Sequence, residues 1–225
     1  TGFGGVSGAS IFGTQFFGKK DKEGQKYTFR FRILMAFALI AVFASVFYFA
    51  GKPLLSLFIS KNDAPELRAE TLAYGLEYLR IMIIGLIPFA FGQAYASVVR
   101  ECGETKVPMI GSMAAIGVNL VLDYGLIFGK LGMPCLGVKG AAIATVVAKT
   151  VEALVVIIWT HTNYKRIACA QGLYKSLRIP GALARKIVVK GVPLLCNEFL
   201  WSLGMSIIAQ CYSVRGLDVV AARNI

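Results

Sequence analysis

Apolar residues in this chain come in long unbroken blocks, not in the alternation of a half-buried strand or the one-sided stripe of a surface helix. Thr1 to Gly18 carries no charge, nor do Ile33 to Gly51 and Ile81 to Val99, the last bounded by Arg80 and Arg100. Val107 to Gly129 is interrupted only by Asp123, Gly140 to Trp159 by Lys149 and Glu152, and Gly191 to Val214 by Glu198. A hydrocarbon layer about 30 Å thick is crossed by roughly 20 helical residues at 1.5 Å each, so all six blocks are candidate spans. Helices close every backbone hydrogen bond within the segment, which lipid demands and an open strand cannot do. The pattern predicts an all-α, polytopic transmembrane helix bundle.

The connections add detail. Lys61 to Tyr78 mixes Asp63, Glu66, Glu70 and Glu77 with Leu67, Leu72 and Leu76 after Pro65, which predicts an external loop leading through an amphipathic turn into the third span. In the first block Gly4, Ser7, Gly8, Ala9, Ser10 and Gly13 supply small residues at helical spacing, the pattern of a helix-packing face. Thr162 to Lys190 holds seven basic residues and no acidic one, as expected of a solvated connection between two bundles.

Composition and charge then exclude classes. With 56% hydrophobic and 16% charged residues, a soluble domain could not cover its surface, and a disordered chain needs the opposite balance. A net charge of +12 would suggest nucleic acid in a soluble protein. Here fifteen of the 24 basic residues lie in three alternate connections, after the first, third and fifth spans. The positive-inside bias makes those connections cytoplasmic, so the surplus reports topology and contact with anionic lipid headgroups, and no nucleic-acid partner is expected. Cys102, Cys135, Cys169, Cys196 and Cys211 form no C-x-x-C pair, which favours neither a disulfide framework nor zinc. The single His161, at a membrane exit, cannot make a metal site alone. No transition metal is expected. The start at Thr1, inside what reads as the end of a span, and the stop at Arg223, Asn224 and Ile225 give the expectation of a piece of a longer protein.

Ionisable groups at membrane depth are costly and need a partner or a role. Lys149 and Glu152, three apart on one helix, can neutralise each other, which predicts a structural ion pair. Asp123 has no counter-ion on its own helix. Asn119, one turn back, points to the same side. Counted inward from Phe128, Asp123 lies about 7.5 Å deep, and Thr145 counted from Gly140 lies at about the same depth. A carboxylate, an amide carbonyl and a hydroxyl at one level suit a proton or a small hard cation, with a helix-packing hydrogen-bond cluster as the alternative. Glu198, about 10 Å into the last span and after Pro193 and Asn197, is a second candidate site, with functional and structural readings both open.

The run Arg100, Glu101, Cys102, Gly103, Glu104, Thr105, Lys106, Val107, Pro108 resembles the R-G-x-G-x-T-x-x-P connection of the multidrug and toxic compound extrusion (MATE) family, departing in Glu101 where a glycine is common. Asn119 to Asp123 and the stretch Gly137 to Thr145 match its N-x-x-x-D and L-G-V-x-G-A-A-x-A-T patterns, and Ser7 to Ser10 with Gly18 to Asp21 resembles its second helix and basic loop. Gly191, Val192 and Pro193 with Asn197, Glu198, Trp201 and Ser202 resembles its seventh helix. The likeness covers nearly the whole chain. It implies helices two to seven of a twelve-helix, two-lobe transporter: residues 1–160 as five helices of the N-terminal lobe, 161–190 as a basic cytoplasmic linker, and 191–225 as the first helix of the C-terminal lobe. It also implies that Asn119, Asp123 and Thr145 form the cation cluster of the N-terminal lobe, usually completed by an aspartate on the family's first helix. The expected function is a cation-coupled antiporter, driven by H+ or Na+ and without further cofactor, that exports cationic or amphipathic drugs by alternating access. It would work in the cell membrane as a monomer, with small-molecule substrates and membrane lipids as partners. The alternative is a flippase of lipid or lipid-linked oligosaccharide, which should line its cavity with several cations; within the spans only Lys149 offers one. No H-E-x-x-H, paired intramembrane aspartates or nucleophile-base set suggests an enzyme.

Overall fold

The computed structural model describes residues 2–59, 65–130, 132–163, 167, 169, 173 and 179–213. Six helices account for nearly all of them: α1 Gly2–Gly18, α2 Lys22–Ser56, α3 Pro65–Glu101, α4 Lys106–Phe128, α5 Val138–Thr162 and α6 Gly181–Ser213. Five, α2 to α6, are long and apolar enough to cross a membrane. The 17 residues of α1 reach about 26 Å, a little short of a full hydrocarbon layer.

Several helices run past the apolar windows that predict them. The third does not begin with a loop to Tyr78: Pro65 opens α3, and residues 65–78 are already helical. Proline is at home in a first turn, where no partner awaits its missing N–H, and Glu66 beside it meets the positive end of the helix dipole. α2 starts at Lys22, with the Asp21 carboxylate accepting from the N–H groups of Glu23 and Gly24 at 3.1 and 3.0 Å. α6 begins at Gly181, so the last ten residues of the segment expected to be linker are helix. Lysine, arginine and glutamate are good helix formers, so a helix continues beyond the hydrocarbon where a hydropathy window stops.

α3 is central, packing against α1, α2 and α5, while α4 leans mainly on α5 and α6 on α1. Small residues permit these approaches, as helices in lipid require. A β-carbon on Gly8 would stand 2.6 Å from the Gly191 Cα, so the α1–α6 crossing depends on two facing glycines. α4 and α5 run antiparallel in a defined register: Gly140 lies under the Leu126 carbonyl at one end, and Gly111 beside the Glu152 carbonyl toward the other.

The main buried cluster gathers Phe29 and Ile33 of α2, Tyr95, Val98 and Val99 of α3, Val107 of α4 and Val156 of α5 with Ile167, Cys169 and Leu173. Phe29 and Tyr95 meet edge to face at 4.8 Å. This core lies where the basic connections converge. The large residues exposed along α4 and α6, such as Met113, Leu120, Leu200 and Trp201, form the apolar exterior of a membrane helix.

Candidate ion-coupling site

Asn119 and Asp123 stand one turn apart on α4, and Thr145, Lys149 and Glu152 follow at helical spacing on α5. Between the two helices lies a cavity of about 180 Å³ lined by Ser112, Ala115, Ile116 and Asn119 from α4 and by Thr145, Ala148, Lys149 and Glu152 from α5. Ala115 and Ala148 are buried and too short to fill it. Asn119 and Thr145 thus face a common space. Asp123 is absent from that lining; the register fixed by Gly140–Leu126 and Gly111–Glu152 sets Thr145 at a level between Asn119 and Asp123.

The hydrogen bonding of the three is incomplete. Thr145 Oγ1 donates to the Ala141 carbonyl at 2.9 Å, which spends its proton and leaves its lone pairs available. Asn119 Nδ2 and Asp123 Oδ1 are both buried and have no hydrogen-bond partner among the described residues. Nearly all buried polar atoms are paired, so two orphans one helical turn apart demand an explanation.

At the other end of the cavity Lys149 Nζ donates to Glu152 Oε2 at 2.8 Å, and Ser112 Oγ donates to Glu152 Oε1 at 2.7 Å. Both carboxylate oxygens are therefore used, one by a partner on α4 that helical spacing on α5 does not reveal. Glu198 lies half-buried on α6, which packs on α1, and makes no hydrogen bond or ion pair among the described residues. The fold does not bring it to the α4–α5 cavity lining.

A second buried charge, unforeseen in the sequence, sits at the basic end. Arg32 of α2 is fully buried, and its Nη2 donates to both carboxylate oxygens of Glu101 on α3 at 2.6 and 2.7 Å. Ser97 Oγ adds a bond to Glu101 Oε1 at 3.2 Å. Gly13 of α1 makes room for the pair, since a β-carbon there would run into the Glu101 carboxylate. The available signal was Glu101 itself, an acid where the resembled connection commonly has a glycine. Tyr95 Oη and His161 Nε2 are 3.1 Å apart, so the exposed histidine near the end of α5 is tied to the buried Tyr95 of α3.

The model of the MatE family matches residues 1–125, more than half of the chain. The chain belongs to the MatE family. Among its relatives, the probable multidrug resistance protein NorM of Thermotoga maritima is 31% identical over 187 residues, which are 83% of this chain and 39% of that protein. The multidrug export protein MepA of Staphylococcus aureus is 32% identical over 163 residues, 69% of this chain and 32% of that one. A solved structure titled as the inward-facing conformation of a multidrug resistance MATE family transporter of the MOP superfamily superposes with a TM-score of 0.67, covering 85% of this chain and 41% of that one. At 20% identity this shows the shared fold. The MatE chain spans less than half the length of these relatives. It is a multi-pass integral membrane protein of the cell membrane, from a family of transporters rather than enzymes.

Proposed function

We propose that this MatE chain forms the ion-coupling half of a cation-coupled antiporter that exports cationic or amphipathic drugs by alternating access. The observation that carries the reading is the buried, unpartnered Oδ1 of Asp123, one turn from the unpartnered Nδ2 of Asn119. A carboxylate oxygen out of water and without a donor is costly until a proton or a hard cation arrives. Asn119 and Thr145 supply further oxygens along the same helix pair, suited to H+ or Na+. Occupation drives transport only as far as the ion binds the two lobe arrangements unequally. The names of the NorM and MepA relatives, multidrug resistance and export, support the substrate class.

Within this reading residues 1–160 belong to the coupling lobe, 161–190 carry the chain across on the cytoplasmic side, and 191–225 begin the opposite lobe. Lys149 and Glu152 form a structural ion pair at the cavity edge, and Glu198, on the helix that begins the opposite lobe, is a candidate second site with a structural role as the alternative. The protein works as a monomer among membrane lipids, without a further cofactor. A flippase for phosphate-bearing lipids is disfavoured because Lys149, the cation in the cavity lining, is already engaged by Glu152.

The test is efflux of a cationic dye from cells carrying the complete protein, at varied pH and Na+, with Asp123→Asn alongside. Loss of ion-dependent efflux in the variant supports the assignment. Undiminished efflux with unchanged ion dependence removes Asp123 from the mechanism.

A further inference from the structure

Cys102 and Cys169 come from segments far apart in sequence, the turn after α3 and the connection between α5 and α6. The fold presses them together. Ile167, Cys169 and Leu173 are buried in the main cluster, Cys102 packs half-buried against it, and Arg30 Nε donates to the Leu173 carbonyl at 3.1 Å. Both cysteines line one small cavity of about 10 Å³ that also touches Glu101 and Gly13. The two thiols are hydrogen-bonding neighbours, and that contact is the leading influence on the acidity of each.

These are the parts of a reactive and a resolving thiol. The hydrogen bond with Cys169 holds the Cys102 thiol below its ordinary range against burial and the nearby Glu101 and Glu104 carboxylates, with a lesser contribution from the Arg32 guanidinium, whereas the same bond and burial push Cys169 up. Cys102 is the sulfur that solvent reaches; Cys169 is buried on the wall of the same small cavity.

We propose that Cys102 and Cys169 are a peroxide-modified thiol pair whose disulfide fastens the α5–α6 connection to the turn between α3 and α4. The Cys102 thiolate attacks the O–O bond of hydrogen peroxide, keeping one oxygen as a sulfenic acid while the other leaves as hydroxide and is protonated to water. The Cys169 sulfur then attacks the sulfenic sulfur. The S–S bond forms, the S–O bond breaks, and hydroxide departs as water with the Cys169 proton. Two thiols and one peroxide give one disulfide and two waters. Stable disulfides are rare in the reducing cytosol, so the bond is transient and serves as a sensor. Closed, it ties Cys169 covalently to the turn after α3.

The experiment treats the complete protein in its membranes with hydrogen peroxide, alkylates all remaining thiols in denaturant with N-ethylmaleimide, and digests with trypsin. The predicted product joins the peptides Glu101–Lys106 and Ile167–Lys175. Their two alkylated forms should fall in equal amounts, and dithiothreitol before alkylation should restore both. In Cys169→Ser, Cys102 should instead accumulate as a sulfenic acid captured by dimedone. The proposal is overturned if Cys102 is oxidised while the Cys169 peptide remains fully alkylated, or if both stay alkylated at peroxide levels that oxidise the exposed Cys135.

Discussion

Replacing Glu101 by leucine should be among the most damaging single changes in this chain. The Arg32 side chain has no exposure and that of Glu101 only 10%, so water cannot stand in for the lost partner. Arg32 Nε and Nη1 have no hydrogen-bond partner among the described residues, and all the compensation for its charge passes through Nη2 and Glu101. Removing one member of a buried pair typically costs about 3–5 kcal/mol, and the unassisted guanidinium argues for the upper part of that range. At about 2–4 °C per kcal/mol for a chain of this size, the upper part of that range is a loss in Tm of roughly 8–20 °C. Replacing both, as Arg32→Met with Glu101→Leu, leaves no uncompensated charge and should cost no more than about 1 kcal/mol. The assay is the thermal midpoint in detergent, read as surviving monodisperse protein by size exclusion, over the full double-mutant cycle. A Glu101→Leu midpoint within about 2 °C of the parent, or a double variant no better than the single one, would refute the reasoning.

Two further outcomes follow from the geometry. Thr145→Val keeps the shape of the side chain and removes one oxygen from the cavity; losing a contact of about 1–1.5 kcal/mol should raise the ion concentration for half-maximal efflux about tenfold while leaving the maximum rate intact. An unchanged ion dependence would take Thr145 out of the site. Because the Cys169 hydrogen bond stabilises the Cys102 thiolate, the alkylation rate of Cys102 should reach its midpoint below the pH of an ordinary thiol, and Cys169→Ala should move that midpoint upward. A downward shift would contradict that stabilisation.

Span positions were legible because lipid imposes one constraint, an apolar run of fixed length, that local sequence meets by itself. Helix ends were less so: the starts at Lys22 and Pro65 lie among polar residues that a hydropathy reading assigns to loops, and that at Gly181 is followed by Arg185, Lys186 and Lys190, which interrupt the apolar window. Pairs on one helix could be read from spacing, as with Asn119 and Asp123 or Lys149 and Glu152. Counting depth set Asp123 and Thr145 at one level, and the helix register places Thr145 between Asn119 and Asp123. Contacts between distant segments had no such rule. Arg32 with Glu101, Ser112 with Glu152 and Cys102 with Cys169 arise only when α2 packs on α3, α4 on α5, and Cys169 against the turn after α3.

The most direct test of the coupling role of Asp123 uses the complete protein in proteoliposomes, with a cationic dye and an imposed H+ or Na+ gradient. The parent protein should concentrate dye against its gradient, and Asp123→Asn should let it equilibrate without responding to either ion. Gradient-driven accumulation at the parent level in that variant would contradict the account.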